Sequence, residues 1–457
     1  MKLNLLGKKG IVLLFLVLMA LLPEAALMAW SEHPLISRPV ISSMPEVRDA
    51  KTVQVESLDV FIRAEGKRLE RLLSEEEAWA KANLQWYPPL PASLTFRAAG
   101  SPDDIRRRFC NAIRMNPTVN FPLYLQLIPG EENKGMSLLL PGGISFLRDT
   151  SDWSASTIAG LKAGEMVRPL DVAVSATDDP DLLGLDIGLF EDNDTDFGKT
   201  YGFGRQPFGN PNLEYGSQAP FHMGFYHESE VIYFFAGFLK KTYPEYRIHL
   251  YKRLAQLAFE TGHSYWGWRF TGWGLHYLAD LAQPYHAAAL PGVSTPQALW
   301  INTMDMIGIH GPKADAVQLV SNQHTALEKF VQVILKRAYQ KGEPTHPILA
   351  VLRSANDASP YEDTVPRHVV ARIAHEKAAE TDRILEDGMP RKFVSDPGFE
   401  LGTSGERGQI VEKMLAEKGR TAIDRQTLWV RDLLIPFAAN GKSYVRAILS
   451  GDKGLKQ

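Results

Sequence analysis

Cysteine is nearly absent from this sequence. Cys110 is the single one in 457 residues. That excludes an intramolecular disulfide framework and any cysteine-rich zinc module, and Cys110 reads as a buried, inert thiol. An excess of charge is also missing. Fifty basic residues against 53 acidic ones leave a net charge of −3, so the chain as a whole is not marked as a nucleic-acid binder, although a local basic patch stays open. Internal repeats are missing too. The apolar run Ile11–Leu22 has twelve residues, short of the roughly 20 that span a bilayer. Any metal site in this chain must therefore be built from His, Asp, Glu or a chain terminus.

What is present begins at the N-terminus. Lys2, Lys8 and Lys9 precede the apolar run, and Ala-Leu-Met-Ala at 26–29 has the small-x-small form that signal peptidase accepts. This predicts a cleaved signal peptide over residues 1–29 in preference to an uncleaved membrane anchor. No cysteine stands at the cleavage site, so lipoprotein processing is not expected. The mature chain would begin at Trp30 and be exported, periplasmic or secreted.

Hydrophobic residues make up 45 % of the chain, enough for a sizeable core. Residues 53–85 carry helical spacing and high charge. Residues 86–150 are richer in Pro and Gly, with short apolar runs that read as strands and loops. Residues 175–220 form a polar, Gly/Pro/Asn/Asp-rich stretch read as loop, and a loop of that length inside a compact domain is usually functional. Helical patterning dominates from Glu228 to Leu290 and returns near 312–341, 364–388 and 408–449. The expected fold class is mainly α: one catalytic domain over 30–457, with a mixed, loop-rich insertion at about 86–220.

Candidate ligands fall on the helical half. In HYLADLAQPYH, His276 and Asp280 are four residues apart, on one face of a helix. Pro284 cannot continue that helix, so the chain turns there and His286 can come back at another angle. In NQHTALEKFV, His324 and Glu328 repeat the i, i+4 spacing. Five nitrogen and oxygen ligands suit zinc and exceed the four of one tetrahedral ion, which points to more than one metal. APFHMGFYHESE adds His222 and His227. The acid-rich stretch before it, DDPDLLGLDIGLFEDNDTD, offers Asp186 and Asp192, while most of its carboxylates read as a solvated surface loop. At the expected mature terminus, WSEHPLIS offers an α-amino group and His33. Histidine ligands need partners for their second ring nitrogen, for which Asp305 and Glu260 are candidates. The aromatic segment HSYWGWRFTGWG reads mainly as helix packing, and otherwise as a wall for a lipid headgroup or a stacked base. His263 belongs to that packing or to a polar network.

HYLADLAQPYH closely resembles the HYLGD-x-x-QPMH-type motif of zinc-dependent bacterial phospholipases C, a fold shared with fungal and plant single-strand-specific nucleases. HTALEKF resembles the next motif of that superfamily, and a tryptophan at the mature N-terminus is its third feature. The resemblance implies a phospholipase C/nuclease-like helical core with three Zn²⁺ ions per chain. One ion would be held by His276, Asp280, His222 (preferred to His227) and a loop aspartate (Asp186 preferred to Asp192). A second would be held by His286, His324 and Glu328. A third would be held by the amino nitrogen and carbonyl oxygen of Trp30, by His33 and by Asp280 as a bridge. This chain departs from the pattern in its length and in the wide stretch between His286 and His324, which reads as an insertion.

The function so implied is an exported, zinc-dependent, phospholipase C-like phosphodiester hydrolase. A metal-activated water would attack phosphorus, with Asp280 and Asp186 as catalytic carboxylates. The substrate would be a phospholipid or another phosphodiester, met in transient contact with a membrane surface. The alternatives are a single-strand-specific nuclease of the same fold, which the slight acidity of the chain disfavours, and a non-catalytic, metal-stabilised binding protein.

Overall fold

The computed structural model describes residues 30, 32–191, 195–206, 218–358 and 360–451. The expected signal peptide and Asp192 lie outside the described residues. Seven longer or central helices frame the rest. In chain order they are α1 (Pro34–Ser42), α2 (Leu58–Asn83), α3 (Pro169–Ala176), α4 (Pro244–Glu260), α5 (Ser264–Asp280), α6 (Gly311–Gln340) and α7 (Arg420–Leu449). The fold is mainly α, as the periodicity predicts. Short helical segments fill the connections, among them Glu230–Phe235, Thr295–Met306 and Ala378–Gly388.

The region expected to be mixed holds most of the β-structure. β1 (Val53–Gln54) pairs antiparallel with β5 (Met166–Val167), Val53 opposite Val167. The strand β4 (Thr157–Gly160) lies between β2 (Tyr124–Leu127) and β3 (Leu138–Leu139), antiparallel to both. These strands are too short to form a layer of their own, and they pack on the helical core.

Helix α5 is the axis of the molecule. Every residue from Tyr265 to Asp280 is buried, and a helix with apolar residues on all sides needs neighbours on all sides. α4 supplies one, folded back through a tight turn. Gly262 sits there at φ +84° and donates its N–H to Phe259 O at 3.2 Å, the left-handed helix stop that glycine adopts without steric cost. α3 and α7 pack on other sides. A Cβ on Gly272 would collide with the Ala173 carbonyl and with Ala176 Cβ. The bare Gly272 backbone thus lets α3 lie directly on α5 and sets the chain that follows α3 against the end of α5.

The expectation of a solvated acidic loop after α3 is corrected here. Asp178, Asp179, Asp181 and Asp186 are all buried. Their charge is met by partners far away in sequence. Asp179 accepts from Tyr124 Oη at 2.5 Å, Arg269 Nη2 at 2.5 Å and Trp273 Nε1 at 2.6 Å. Asp178 accepts from Trp153 Nε1 at 2.6 Å and from the His33 backbone N–H at 3.1 Å. Buried carboxylates persist only where such donors surround them. The stretch is a polar wedge in the core, not a surface loop.

Candidate metal centre

The C-terminal end of α5 carries the site. Asp280 is the last residue of that helix, and His276 stands one turn earlier, both fully buried. The helix stops because Pro284 follows and lacks the N–H that would continue it. Gln283 then caps a single helical turn, Pro284–Ala287, its side chain accepting from Tyr285 N at 2.5 Å. That turn swings His286 toward α6, whose buried middle presents His324 and Glu328. From the N-terminal side, Trp30 Nε1 donates to Ala279 O at 2.9 Å, pinning the segment that leads to His33 beside Asp280.

Three sets of donor atoms converge, each within 4.8 Å: His33, His276 and Asp280; Asp181, His222 and His276; and His286, His324 and Glu328. All of these side chains are buried. Asp280 divides its carboxylate between two directions. Its Oδ1 lies 3.0 Å from His33 Nε2. Its Oδ2 lies 2.9 Å from His222 Nδ1 and 3.3 Å from His276 Nε2. His276 Nε2 and His222 Nδ1 are 3.1 Å apart, and Asp181 Oδ1 is 3.7 Å from His222 Nδ1. In the third set His286 Nε2 and His324 Nε2 are 3.0 Å apart, and Glu328 Oε1 lies 2.6 Å from His324 Nε2.

Ring orientation shows which nitrogens face the centre. A carbonyl only accepts, so His276 Nδ1 donates to Thr177 O at 2.8 Å and His286 Nδ1 donates to His222 O at 3.1 Å. The Nε2 lone pairs of both rings are thereby turned toward their neighbours' donor atoms. Burial lowers the pKa of both rings, His286 to about 3, and so keeps them neutral. Burial resists the charge on Asp280, but His276, His222 and His33 outweigh it and hold the carboxyl well below its usual range. Burial, helped by the carboxylates of Asp280 and Asp178, outweighs His222 and His33 and pushes Asp181 up to about 7.

These features fit a divalent cation. Ligands about 2.0–2.1 Å from a tetrahedral ion stand roughly 3.3 Å from one another. The close pairs above cluster near that spacing, with the Nε2 lone pairs of His276 and His286 turned on the ring nitrogens of His222 and His324, an arrangement that calls for a proton or a cation between each pair. His33 Nδ1 is buried without a hydrogen-bond partner. Nitrogen and oxygen donors without sulfur match zinc and other first-row divalent ions.

Searches against protein-family models, curated proteins and solved structures returned no match.

Placement of the sequence candidates is specific. His33, His222, His276, Asp280, His286, His324 and Glu328 all fall within the three sets. Trp30 is buried beside them. Asp186 is not in a set. It pairs with Arg247 and accepts from Tyr277 Oη at 2.5 Å, while its Oδ2 faces His222 Nε2 at 3.3 Å. It therefore orients the back of the His222 ring and leaves Nδ1 to the centre. The loop aspartate among the donors is Asp181, five residues earlier. His227 points elsewhere, to Arg367 O at 2.9 Å. Neither proposed partner for the histidines reaches them: Asp305 is held by His310 and Lys313, each at 2.7 Å, and Glu260 is exposed at the end of α4. Backbone carbonyls and Asp186 take that role instead. His263 pairs with Glu56 at 3.0 Å, and the tryptophans of α5 pack in the core. Cys110 is fully buried, and burial raises its thiol to about 12.

The sequence reading also missed Gln283. Its Nε2 donates to Glu328 Oε1 at 3.2 Å while its Oε1 holds the turn that bears His286. It thus fixes two candidate ligands at once. The only sequence signal was its place immediately before Pro284, the cap position of a proline-initiated turn.

An apolar cavity of about 180 Å³ adjoins the third set. His324 and Tyr285 form part of its wall, and the remainder is mostly apolar, including Met223, Phe225, Leu239 and Val320.

Proposed function

We propose that this chain is a metal-dependent phosphodiester hydrolase of the phospholipase C type, with Zn²⁺ ions held by His33, Asp181, His222, His276, Asp280, His286, His324 and Glu328. The observation that carries the reading is the convergence of buried nitrogen and oxygen donors at the end of one helix, with His276 common to two of the sets and Asp280 facing donors of both, Oδ1 toward His33 and Oδ2 toward His222 and His276. Bound divalent cations supply acidification of a water and neutralisation of phosphoryl charge, the two things that hydrolysis of an anionic diester needs. The protein groups do the rest. Asp280 holds the sets together. Asp181, with Oδ1 3.7 Å from His222 Nδ1 and Oδ2 3.9 Å from His33 Nδ1, would orient the attacking water or accept its proton. Asp186 and Arg247 fix the His222 ring. The cavity at His324 would accept an apolar part of the substrate next to its phosphate. Three ions and a terminal ligand set at Trp30 belong to the same proposal, as does export. No helix among the described residues is long and apolar enough to cross a membrane.

The test is metal content and hydrolysis by the full chain isolated from the exported fraction, its N-terminus established by mass. We expect zinc at two to three ions per chain, estimated from the number of donor sets. We also expect chelator-sensitive cleavage of a soluble chromogenic phosphodiester and of phosphatidylcholine, with little cleavage of single-stranded DNA. Zinc below two per chain, or hydrolysis that survives removal of the metal, would overturn the proposal. Faster cleavage of DNA than of phosphatidylcholine would move it to the nuclease reading.

A further inference from the structure

The stretch between His286 and His324 has a surface that ordinary solvation does not explain. Half of the sixteen large apolar side chains exposed among the described residues lie between positions 231 and 317. They sit on three elements that pack together: the helix Glu230–Phe235, the helix Thr295–Met306 and the start of α6. The helix Thr295–Met306 is apolar on both sides. Ala298 and Ile301 are buried, while Leu299, Trp300 and Met306 face outward, Met306 at 75 % exposure. Three large apolar side chains among the polar residues of an exposed helix face form a patch that marks an interaction site more often than plain solvation. At its end Gly308, at φ +88°, turns the chain so that Ile307 and Ile309 form an exposed apolar tip, where loops normally carry polar residues. Phe234 on the neighbouring helix is 80 % exposed.

This rim surrounds the cavity that ends at His324. Ile232, Phe235, Ile301 and Val317 line the cavity from the same elements whose outward residues form the rim. The apolar character is thus continuous from the surface to a candidate metal ligand. Charges on these elements and on the segment Gly237–Lys240 that packs against the first of them balance: Lys240, Lys241 just after it and Lys313 stand against Glu230, Asp305 and Asp315. Lys240 Nζ lies over the Tyr233 ring at 4.5 Å and over the Trp86 ring at 5.9 Å, so cations and aromatic rings share one edge of the rim, as they do where proteins meet the interface of a bilayer. A polyanion would need a net positive face. A protein partner could cover the rim but gives no reason for the cavity behind it, whereas an aliphatic chain does.

We infer that this rim is a docking surface for a zwitterionic lipid layer, and that the cavity takes one aliphatic chain from it. The inference rests on the phosphodiesterase reading only for its use, since lipid binding is measured without hydrolysis.

The test uses the full-length, metal-loaded protein and phosphatidylcholine vesicles. We expect co-sedimentation that changes little between ~50 and ~500 mM NaCl, because the rim carries no net charge. Vesicles of brominated phosphatidylcholine should quench tryptophan emission, and W300F should lose a clear part of that quenching, with Trp86 at the rim's edge keeping the rest. The double variant F234E/I307E should partition onto vesicles about tenfold less, with metal content and thermal midpoint unchanged. Three results would overturn the inference: no vesicle binding by the wild type, equal binding by the double variant, or a wild-type dimer that the double variant abolishes. Vesicle binding without any phosphodiester hydrolysis would support the surface and sink the catalytic reading. Hydrolysis of the soluble diester without vesicle binding would do the reverse.

Discussion

His33 and Asp280 are 247 positions apart in the chain, yet His33 Nε2 lies 3.0 Å from Asp280 Oδ1. The opposite oxygen of the same carboxylate faces His222 and His276. One side chain therefore serves two sets of donors, and a change that spares its shape should affect both. Asp280→Asn is expected to lower bound zinc by more than one equivalent. His286→Ala, confined to the third set, should remove no more than one. Metal analysis by emission spectrometry after dialysis checks this. If the two variants lose equal amounts, Asp280 does not bridge.

Gln283 makes a subtler prediction, because it touches ligands without facing the centre. Its amide donates to Glu328 and its carbonyl oxygen caps the turn that carries His286. Gln283→Ala frees both. Loss of a group that orients ligands typically weakens metal affinity by about 10–100-fold. The weakening should appear in one zinc alone, the one at His286, His324 and Glu328, read by competition with a chromogenic chelator. Gln283→Glu is a harsher change, since it sets a second carboxylate against Glu328. An alanine variant that holds every zinc as tightly as wild type would refute a positioning role.

The i, i+4 pairs His276/Asp280 and His324/Glu328 were legible because a helix converts that spacing into one face whatever the rest of the chain does. The turn at Pro284 was legible because proline acts locally on its own backbone. Asp181 was not. Its stretch has the composition of a solvated loop, and burial there is decided by Arg269, Trp273, Tyr124, Trp153 and His33, none of them near in sequence. Gln283 was hidden in the same way, since its partner Glu328 lies 45 residues on. The mainly helical architecture followed from periodicity, whereas the wedge of buried carboxylates is a product of tertiary packing.

Asp181 and Asp186 can be told apart by what each leaves behind. Asp181→Asn removes a donor beside His222 and His276 and leaves the buried cations untouched. It should lower zinc affinity with a small change in unfolding free energy. Asp186→Asn leaves the Arg247 guanidinium, fully buried, without its carboxylate. Breaking one side of a buried pair costs about 3–5 kcal/mol. Urea unfolding of the metal-free proteins, set beside zinc titration of both variants, separates the roles. Should Asp186→Asn unfold like wild type while losing zinc, Asp186 is itself a ligand and the assignment to Asp181 fails.

The last prediction concerns pH. In the metal-free protein His222 carries a proton that an ordinary histidine would lose. Burial works against that charge, but hydrogen bonds to Asp186 and Asp280 prevail and push its pKa up to about 10. The unfolded value is about 6.5. A group raised on folding gives stability that is fully present below its unfolded pKa and is lost as pH rises through the folded one. His276 and His286 behave oppositely. Burial lowers them, His286 to about 3, so below about pH 6.5 the unfolded chain takes up protons that the folded chain refuses, and stability falls as the solution is acidified. The contribution of these three histidines to metal-free stability is thus greatest near pH 6.5 and falls on either side. Zinc flattens the alkaline limb, because a cation at Nδ1 of His222 replaces its proton and removes the reason for that loss, and it steepens the acid limb, where the unfolded chain regains a proton that the zinc-bound ring cannot hold. Between about pH 6.5 and 10 the zinc-loaded protein should therefore hold a flat stability profile where the metal-free protein declines. Zinc titration calorimetry near pH 7.5, in two buffers of different ionisation enthalpy, should show at least one proton released, that of His222, with His33, also raised on folding, adding to it. No proton release, with parallel stability profiles for the two forms, would mean that His222 does not bind the metal.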